Sequence, residues 1–364
     1  MSKDPDDKDD KDEGALARLG FTPHFSQQFE LHATPGAIPG RVARVEPAAC
    51  TLLSAAGPLR ASVPKRLARR RPPVVGDWVI AREDGGELRV RRVLERATSL
   101  TRRAAGREGR PQVIAANLDL VMIVCGLDRD FNLGRIERWL SLVHEGGAQP
   151  VVLLSKAGLV SEAELGRRVE AVAGVALGVE VVTYDLLTGL GLGALEVALA
   201  GGRSLAFVGS SGAGKSTLVN YLCGEEIMAT GEISAAHGKG RHTTSHRELI
   251  VLPERDALVI DTPGLREVGL WGAGRGVDQT FAEITEIAEG CRFSDCTHTR
   301  EPGCAVLAAL EREELDPRRV AAHARLCRER EATARRASEH ERRAHERSFA
   351  KLVRRTLADK KRDS

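Results

Sequence analysis

One stretch, Gly209-Ser-Ser-Gly-Ala-Gly-Lys-Ser-Thr217, constrains this chain more than any other. The apolar run before it, Ser204-Leu-Ala-Phe-Val208, reads as a buried strand, and Leu218-Val-Asn-Tyr-Leu222 after it reads as the opening of a helix. Strand, glycine loop, Lys-Ser and helix make a phosphate-binding loop, with Gly209, Gly214, Lys215 and Ser216 filling G-x-x-x-x-G-K-[ST]. Glycines let backbone N–H groups curl around phosphates, and the helix N-terminus adds partial positive charge. The expected phosphate contacts are Gly209, Ser210, Ser211, Gly212, Ala213, Gly214, Lys215, Ser216 and Thr217. Lys215 is placed for the β/γ-phosphates and the Ser216 hydroxyl for Mg²⁺. The bland alternative, a glycine-rich turn that binds nothing, does not account for the whole pattern in its strand–helix setting.

A chain of 364 residues has room for two or three domains. Its net charge of +3 hides an acidic and lysine-rich start, Lys3 to Glu13, and an arginine-rich end. Seven cysteines, an odd number, without a secretory leader point to reduced thiols in the cytoplasm. Clustered cysteines are then read as metal ligands before disulfides. No apolar run reaches the length of a membrane span, so no membrane partner is expected.

Residues 1–36 read as an N-terminal extension. Its first fourteen residues are too charged to bury anything and are expected to be disordered. A short helical segment follows within Leu16 to Phe29, and Ala33 to Gly40 reads as a linker. Residues 37–105 carry five short alternating strands, Gly40 to Val45, Ala49 to Leu53, Leu59 to Val63, Gly76 to Ala81 and Leu88 to Val93. Five strands between Gly/Pro turns suggest a barrel of OB type. Its basic loops, with Lys65, Arg66, Arg69, Arg70 and Arg71, suit RNA phosphates; few aromatics are present to stack bases. A merely solvated basic surface is the plainer reading.

Residues 106–272 alternate strands and helices, which implies a largely parallel sheet. Strands are expected at Asn117 to Cys125, Pro150 to Leu154, Val179 to Thr183, Ser204 to Val208, Glu248 to Leu252 and Ala257 to Asp261, and helices at Gly134 to His144, Ser161 to Val172 and Leu190 to Leu199. Residues 273–364 open with one helix, Asp278 to Glu289, pass through a cysteine cluster and end in a basic helical tail. In that tail Phe349, Leu352, Val353 and Leu357 make an apolar stripe. Salt-bridged exposed helices and an RNA-contacting tail are equally good readings of it.

Four features narrow the class. Leu258 to Asp261 is an apolar strand ending in Asp, with Gly264 three residues on. Asp-x-x-Gly there is the GTPase form: Asp261 supports Mg²⁺ and the Gly264 N–H senses the γ-phosphate. Thr243 and Thr244 lie between the phosphate loop and that strand, the position of a switch threonine. The base-reading motif Asn-Lys-x-Asp has its candidate at Ser155-Lys156-Ala157-Gly158, directly after a strand but ahead of the phosphate loop, which is a circular permutation of the usual order. Finally, Cys291, Cys296, His298 and Cys304 are a Cys₃His set at structural zinc spacing.

Together these features resemble the RsgA (YjeQ/YloQ) family of ribosome small-subunit-dependent GTPases. Further shared motifs are Gly40-Arg-Val, Gly76-Asp-Trp-Val79, Gln112 to Asn117, Phe131-Asn132 and Gly240-Arg-His-Thr-Thr244. The resemblance implies an α/β protein with an N-terminal OB-type β-barrel, a circularly permuted P-loop GTPase domain and a C-terminal zinc-binding helical module. It implies a monomer holding one Zn²⁺ and taking Mg²⁺ with GTP. It implies GTP hydrolysis to GDP and phosphate, stimulated by the 30S subunit, in late small-subunit maturation through 16S rRNA contact.

The chain departs from the family at the base. Ser155 replaces Asn and Gly158 replaces Asp, whose carboxylate would accept from guanine N1 and N2. That loss is expected to cost on the order of 2–4 kcal/mol of guanine preference. Asp185, in the later loop Thr183 to Gly189, is a carboxylate that could stand in. Leu265 stands where many GTPases place a water-orienting Gln, so hydrolysis by the chain alone is expected to be slow, with His242 the candidate catalytic group. Two other functions stay open: a nucleotide-binding RNA module with little hydrolysis, and a P-loop ATPase with relaxed base specificity.

Overall fold

The computed structural model describes residues 5–103, 111–199, 204–224, 247–261, 274–336 and 338. The chain divides into two compact units, Met1–Thr101 with Val113–Glu267, and Arg102–Gln112 with Val268–Ser364.

The first unit begins with two helices, α1 (Pro5–Arg18) and α2 (Pro23–His32). The expected disorder over the first fourteen residues is thus replaced by helix from Pro5. Proline suits a first helical position. Apolar residues from the end of α1 through α2 explain why the segment docks: Leu16, Leu19, Phe21, Phe25 and Phe29 pack with Trp78, Ile80 and Leu94. The Phe21 and Trp78 rings lie 4.7 Å apart. Aromatic residues near the barrel are therefore spent in its packing.

Five strands follow, β1 (Ala37–Glu46), β2 (Ala49–Ser54), β3 (Gly57–Ser62), β4 (Trp78–Asp84) and β5 (Glu87–Val93), with α3 (Lys65–Arg70) between β3 and β4. They close in the order β1-β2-β3-β5-β4-β1. The β3–β5 contact is parallel and the others antiparallel, which is a Greek-key barrel of OB type. Val42, Leu52, Val79 and Val90 fill it. The expected linker at Ala33 to Gly40 is half strand, because β1 starts at Ala37. Pro39 is tolerated because this end of β1 pairs with β4 only; pairing to β2 starts at Arg41.

A two-stranded ribbon, β6 (Ser99–Arg103) and β7 (Pro111–Ala116), leads out of the barrel. The α/β part holds β8 (Leu120–Gly126), α4 (Leu133–Gly146), β9 (Gln149–Ser155), α5 (Glu162–Ala173), β10 (Glu180–Thr183), α6 (Leu192–Leu199), β11 (Ser204–Val208), α7 (Lys215–Cys223), β12 (Glu248–Leu252) and β13 (Ala257–Asp261). Its strand order is β10-β9-β8-β11-β13-β12, all parallel except β12. The strands that precede the phosphate loop, β10, β9 and β8, lie on one side of β11, and those that follow it, β13 and β12, lie on the other, all in one sheet.

Buried polar groups join barrel and sheet. Arg41, 1 % exposed, donates to the carbonyls of Leu19 and Asn117, the latter at 2.8 Å. Burial pushes its pKa down to about 10, against Asp119 and Asp77, which raise it. Asn117 donates to the Gly76 carbonyl at 3.0 Å and accepts from the Ala97 N–H at 3.0 Å. Gly76 is obligatory here: its φ is +90°, and a Cβ would lie 2.1 Å from the Ala116 carbonyl oxygen. Asp77, fully buried, accepts from Arg96 Nε at 2.7 Å and from the Val74 N–H at 2.8 Å. The Gly76-Asp77-Trp78 run is thus a joint between barrel and sheet.

The second unit holds α8 (Gly274–Thr280), α9 (Ala282–Ala288), α10 (Ala305–Glu311) and a further helix, α11, over 317–336. The single helix expected from Asp278 to Glu289 is broken at Phe281, where φ is −119° and ψ 43°. Phe281 is fully buried under the Arg319 guanidinium, which lies 4.3 Å from its ring centroid. Arg319 also donates to the Thr280 carbonyl freed by the break, at 2.8 Å. The apolar stripe at Phe349 to Leu357 lies outside the described residues. No helix among the described residues is long and apolar enough to cross a membrane.

Candidate nucleotide site and metal cluster

Parallel pairing brings the carboxyl ends of β8, β9, β10, β11 and β13 to one edge of the sheet. Ligands of open α/β sheets bind outside that edge. The segments 126–130, 155–158, 184–188 and 209–217 all emerge there.

Gly209 leaves β11 with φ +138°, and a Cβ there would sit 2.2 Å from the Val124 carbonyl oxygen. Gly212 and Gly214 also have positive φ, +81° and +96°, and Gly214 caps α7. These glycines turn the loop back over its helix, leaving Ser211, Gly212 and Thr217 exposed while Ala213 is buried. Lys215 opens α7, and its amine donates to the carbonyls of Gly209, at 2.9 Å, and Ser210. That centres the ammonium over the loop. Ser216 follows, partly buried. The Ser210 hydroxyl donates to Asp130, which also pairs with Arg135. Sequence reasoning missed Asp130; its signal was two aspartates, Asp128 and Asp130, just past the apolar run of β8.

The base segment lies against this loop although 58 residues separate the touching positions. Ser155 Oγ donates to the Ala213 carbonyl at 2.6 Å, and Ser155 is 2 % exposed. Lys156 takes a left-handed conformation, φ 62°, and its amine pairs with Asp128 at 2.6 Å. Burial disfavours the Asp128 carboxylate, but the Lys156 hydrogen bond and the Asp130 N–H hold its pKa below the usual range. Ala157 is buried and its N–H donates to the Tyr184 carbonyl at 3.2 Å; Gly158 is exposed. The Gly158 N–H donates to Asp185 Oδ2 at 3.0 Å.

Asp261 ends β13 beside β11, opposite Glu248 of β12. His242, Thr243, Thr244 and Gly264 lie outside the described residues.

The four metal-ligand candidates come together in the second unit, with one ligand atom of each within 4.8 Å of every other. Cys291 Sγ is 3.7 Å from His298 Nδ1 and 3.9 Å from Cys304 Sγ, and His298 Nδ1 is 3.4 Å from Cys304 Sγ. A tetrahedral zinc ion sets such ligand atoms about 3.4–3.8 Å apart, so the donor set and its spacing fit that ion. The Ala305 N–H donates to Cys291 Sγ and the Leu307 N–H to Cys304 Sγ, each at 3.4 Å. His298 is turned inward by a left-handed backbone, φ 57°. Glu301 stiffens the loop between them, accepting from the N–H groups of Thr297, Thr299 and Arg300 at 2.8–2.9 Å. None of the seven cysteines is in a disulfide.

Comparison with known proteins gives a consistent picture. The family model described as RsgA GTPase matches residues 93–271. A protein of Opitutus terrae named "Small ribosomal subunit biogenesis GTPase RsgA" is 46% identical over 337 residues, covering 88% of this chain and 91% of its own. A Streptomyces coelicolor protein of the same name is 44% identical, covering 86% of each chain. Among solved structures, YjeQ from Thermotoga maritima aligns with a TM-score of 0.59 at 24% identity, over 80% of this chain and 97% of its own. YloQ, titled a circularly permuted GTPase, aligns with a TM-score of 0.57 at 23% identity, over 81% of this chain and 95% of its own. These two share the fold.

Proposed function

The chain belongs to the RsgA GTPase family, and from that premise we propose that it hydrolyses GTP in late maturation of the small ribosomal subunit, slowly alone and faster on the 30S particle. One observation carries the reading beyond the family: the Ser155–Ala213 hydrogen bond seats a base-binding loop directly on a phosphate loop that follows it in sequence.

The residues divide the work. Backbone N–H groups from Gly209 to Gly214 and the start of α7 hold the phosphates, and Lys215 neutralises the β/γ oxygens. Ser216, Thr243 or Thr244, and Asp261 would hold Mg²⁺, which supplies charge neutralisation between the β- and γ-phosphates. The Gly264 N–H senses the γ-phosphate. Lys156 lies along the base beside Ser155, Ala157 and Gly158. His242 orients the attacking water, in place of the Gln that Leu265 replaces. Cys291, Cys296, His298 and Cys304 hold one structural Zn²⁺, which fixes the loop that carries them. The barrel's basic residues, which lie on α3 (Lys65, Arg66, Arg69, Arg70) and just after it (Arg71), not in a loop, and the zinc loop contact 16S rRNA, and the protein acts as a cytoplasmic monomer.

The test is phosphate release from GTP and from ATP, each with and without purified 30S subunits. Strong 30S stimulation confined to GTP is the expected result. No stimulation with either nucleotide would reject the enzyme in favour of a binding module, and equal stimulation with both would reject the guanine assignment.

A further inference from the structure

We propose that Asp185 reads the guanine base in place of the carboxylate that position 158 lacks. The inference rests on the GTPase reading above and adds to it a specificity residue outside the Ser155 to Gly158 segment.

The geometry ties the two positions together. Thr183 of β10 pairs with Leu154 of β9, so the two strands release their loops side by side. A Cβ built on Gly158 would lie 3.0 Å from Asp185 Oδ2 and 3.0 Å from Thr188 Cγ2. The space that an aspartate at 158 would enter is therefore occupied by the Asp185 carboxylate. Two carboxylates there would repel each other, so glycine at 158 and aspartate at 185 form one arrangement. The acceptor has moved to the adjoining loop while staying close to its place beside the base.

The acceptor capacity also points to the base. Asp185 Oδ1 takes the N–H groups of Leu187, at 2.8 Å, and Thr188, at 3.1 Å. Oδ2 takes the Gly158 N–H at 3.0 Å and the Thr188 side chain also donates to the carboxylate; Asp185 is 5 % exposed and sits directly beside the exposed Gly158. Burial works against the charged form, but the N–H groups of Thr188, Gly158 and Leu187 and the Thr188 side chain outweigh it and hold the carboxyl below its ordinary pKa. The group is thus held as an anion, with Oδ2 beside Gly158 where a base-reading carboxylate at 158 would lie. Guanine presents N1–H and a 2-amino group there, both donors, which can share that oxygen. Adenine presents a bare N1 and no 2-amino group, so acceptor would face acceptor. A shared oxygen is a weaker clamp than two oxygens, so the guanine preference is retained but reduced.

The bland role for Asp185 is to cap its own turn. Asp185→Asn separates the two through xanthine binding. An amide oxygen can still accept from Leu187 and Thr188, but the NH₂ in place of Oδ2 gives up the Gly158 N–H, so a loss of guanine affinity alone also fits the bland role. That NH₂ can donate to the 2-oxo group of xanthine, as a carboxylate cannot. The experiment is direct binding of guanosine, xanthosine and adenosine diphosphates to the full chain, read by a fluorescent nucleotide, with thermal melting as the check on folding. Asp185→Asn is expected to lose about 10- to 100-fold in guanosine diphosphate affinity and to gain xanthosine diphosphate binding. The double variant Asp185→Ser with Gly158→Asp is expected to recover the guanine preference. Unchanged guanine preference in a folded Asp185→Asn protein would overturn the proposal. Should that variant fail to fold, a folded double variant without guanine preference would overturn it equally. A wild-type chain that prefers no base sinks the GTPase reading itself, and that result is visible before any variant is made.

Discussion

The metal cluster and the nucleotide site are both ligand constellations, but they draw on very different lengths of chain. The four metal ligands fall between Cys291 and Cys304, and their donor atoms already converge to within 4.8 Å. The proposed nucleotide site would take Ser155 to Gly158 from the end of β9, Asp185 from just past β10 and Gly209 to Thr217 from just past β11. Only the parallel sheet brings these together. A short-range site is fixed by its own loop and by N–H donors such as Ala305 and Leu307. A long-range site inherits its geometry from strand order, which is what would let a residue on the next loop take over a neighbour's role.

The largest effect should come from breaking the short-range site. Structural zinc contributes on the order of 10 kcal/mol or more of apparent binding free energy to the fold it closes. Cys304→Ala, or a strong chelator, should therefore melt the loop from Cys291 to Cys304 together with the start of α10. Hydrogen exchange should show lost protection there, while nucleotide affinity at Gly209 to Thr217 stays near wild type. A parallel fall in nucleotide affinity would show that the two sites are not built independently.

Breaking the joint that supports the long-range site should come next. Asp77 is fully buried and holds Arg96 by two hydrogen bonds, at 2.7 and 2.9 Å. Asp77→Ala leaves that guanidinium without its carboxylate and should cost about 3 kcal/mol in thermal or urea unfolding. An unchanged midpoint would mean that Arg96 re-pairs and that the joint is not what holds barrel and sheet together. Lys215→Ala should leave stability near wild type. It should lower 30S-stimulated turnover by roughly 10²- to 10³-fold, the scale of a lost transition-state charge contact. A drop of only a few-fold would mean that the phosphates are held by backbone N–H groups alone.

The same contrast governs what could be read from the sequence. The phosphate loop and the metal set were legible because each is a fixed spacing of special residues, and the apolar runs of β8, β9, β11 and β13 were legible by length. The barrel was legible from its alternation. The helix break at Phe281 was not, because it depends on Arg319, 38 positions away in the numbering. Nor was the helix at Pro5, whose charge suggested disorder while the packing of Leu16 and Phe21 on Trp78 lay far along the chain. The joint at Gly76-Asp77 showed as a motif, but its reason, the Ala116 carbonyl and Arg96, appears only in three dimensions. Asp185 stood out only as a carboxylate in a neighbouring loop; the 3.0 Å contact to Gly158 gives it a place.

The two departures at the base motif should differ in size, and Ser155 should be the milder. The Asn of the family motif is a polar side chain in the first position of the loop. Ser155 keeps a polar contact there by donating to the Ala213 carbonyl at 2.6 Å. Ser155→Ala leaves that buried carbonyl short of a partner, at a cost of about 1 kcal/mol, or a several-fold loss of nucleotide affinity. The loss should be equal for guanine and adenine nucleotides, because this bond fixes the distance between base loop and phosphate loop and touches no base edge. Asp185→Asn should instead change which base is preferred. If Ser155→Ala altered base preference as much as Asp185→Asn, the acceptor would not have moved to a single residue, and the whole loop would be reading the base.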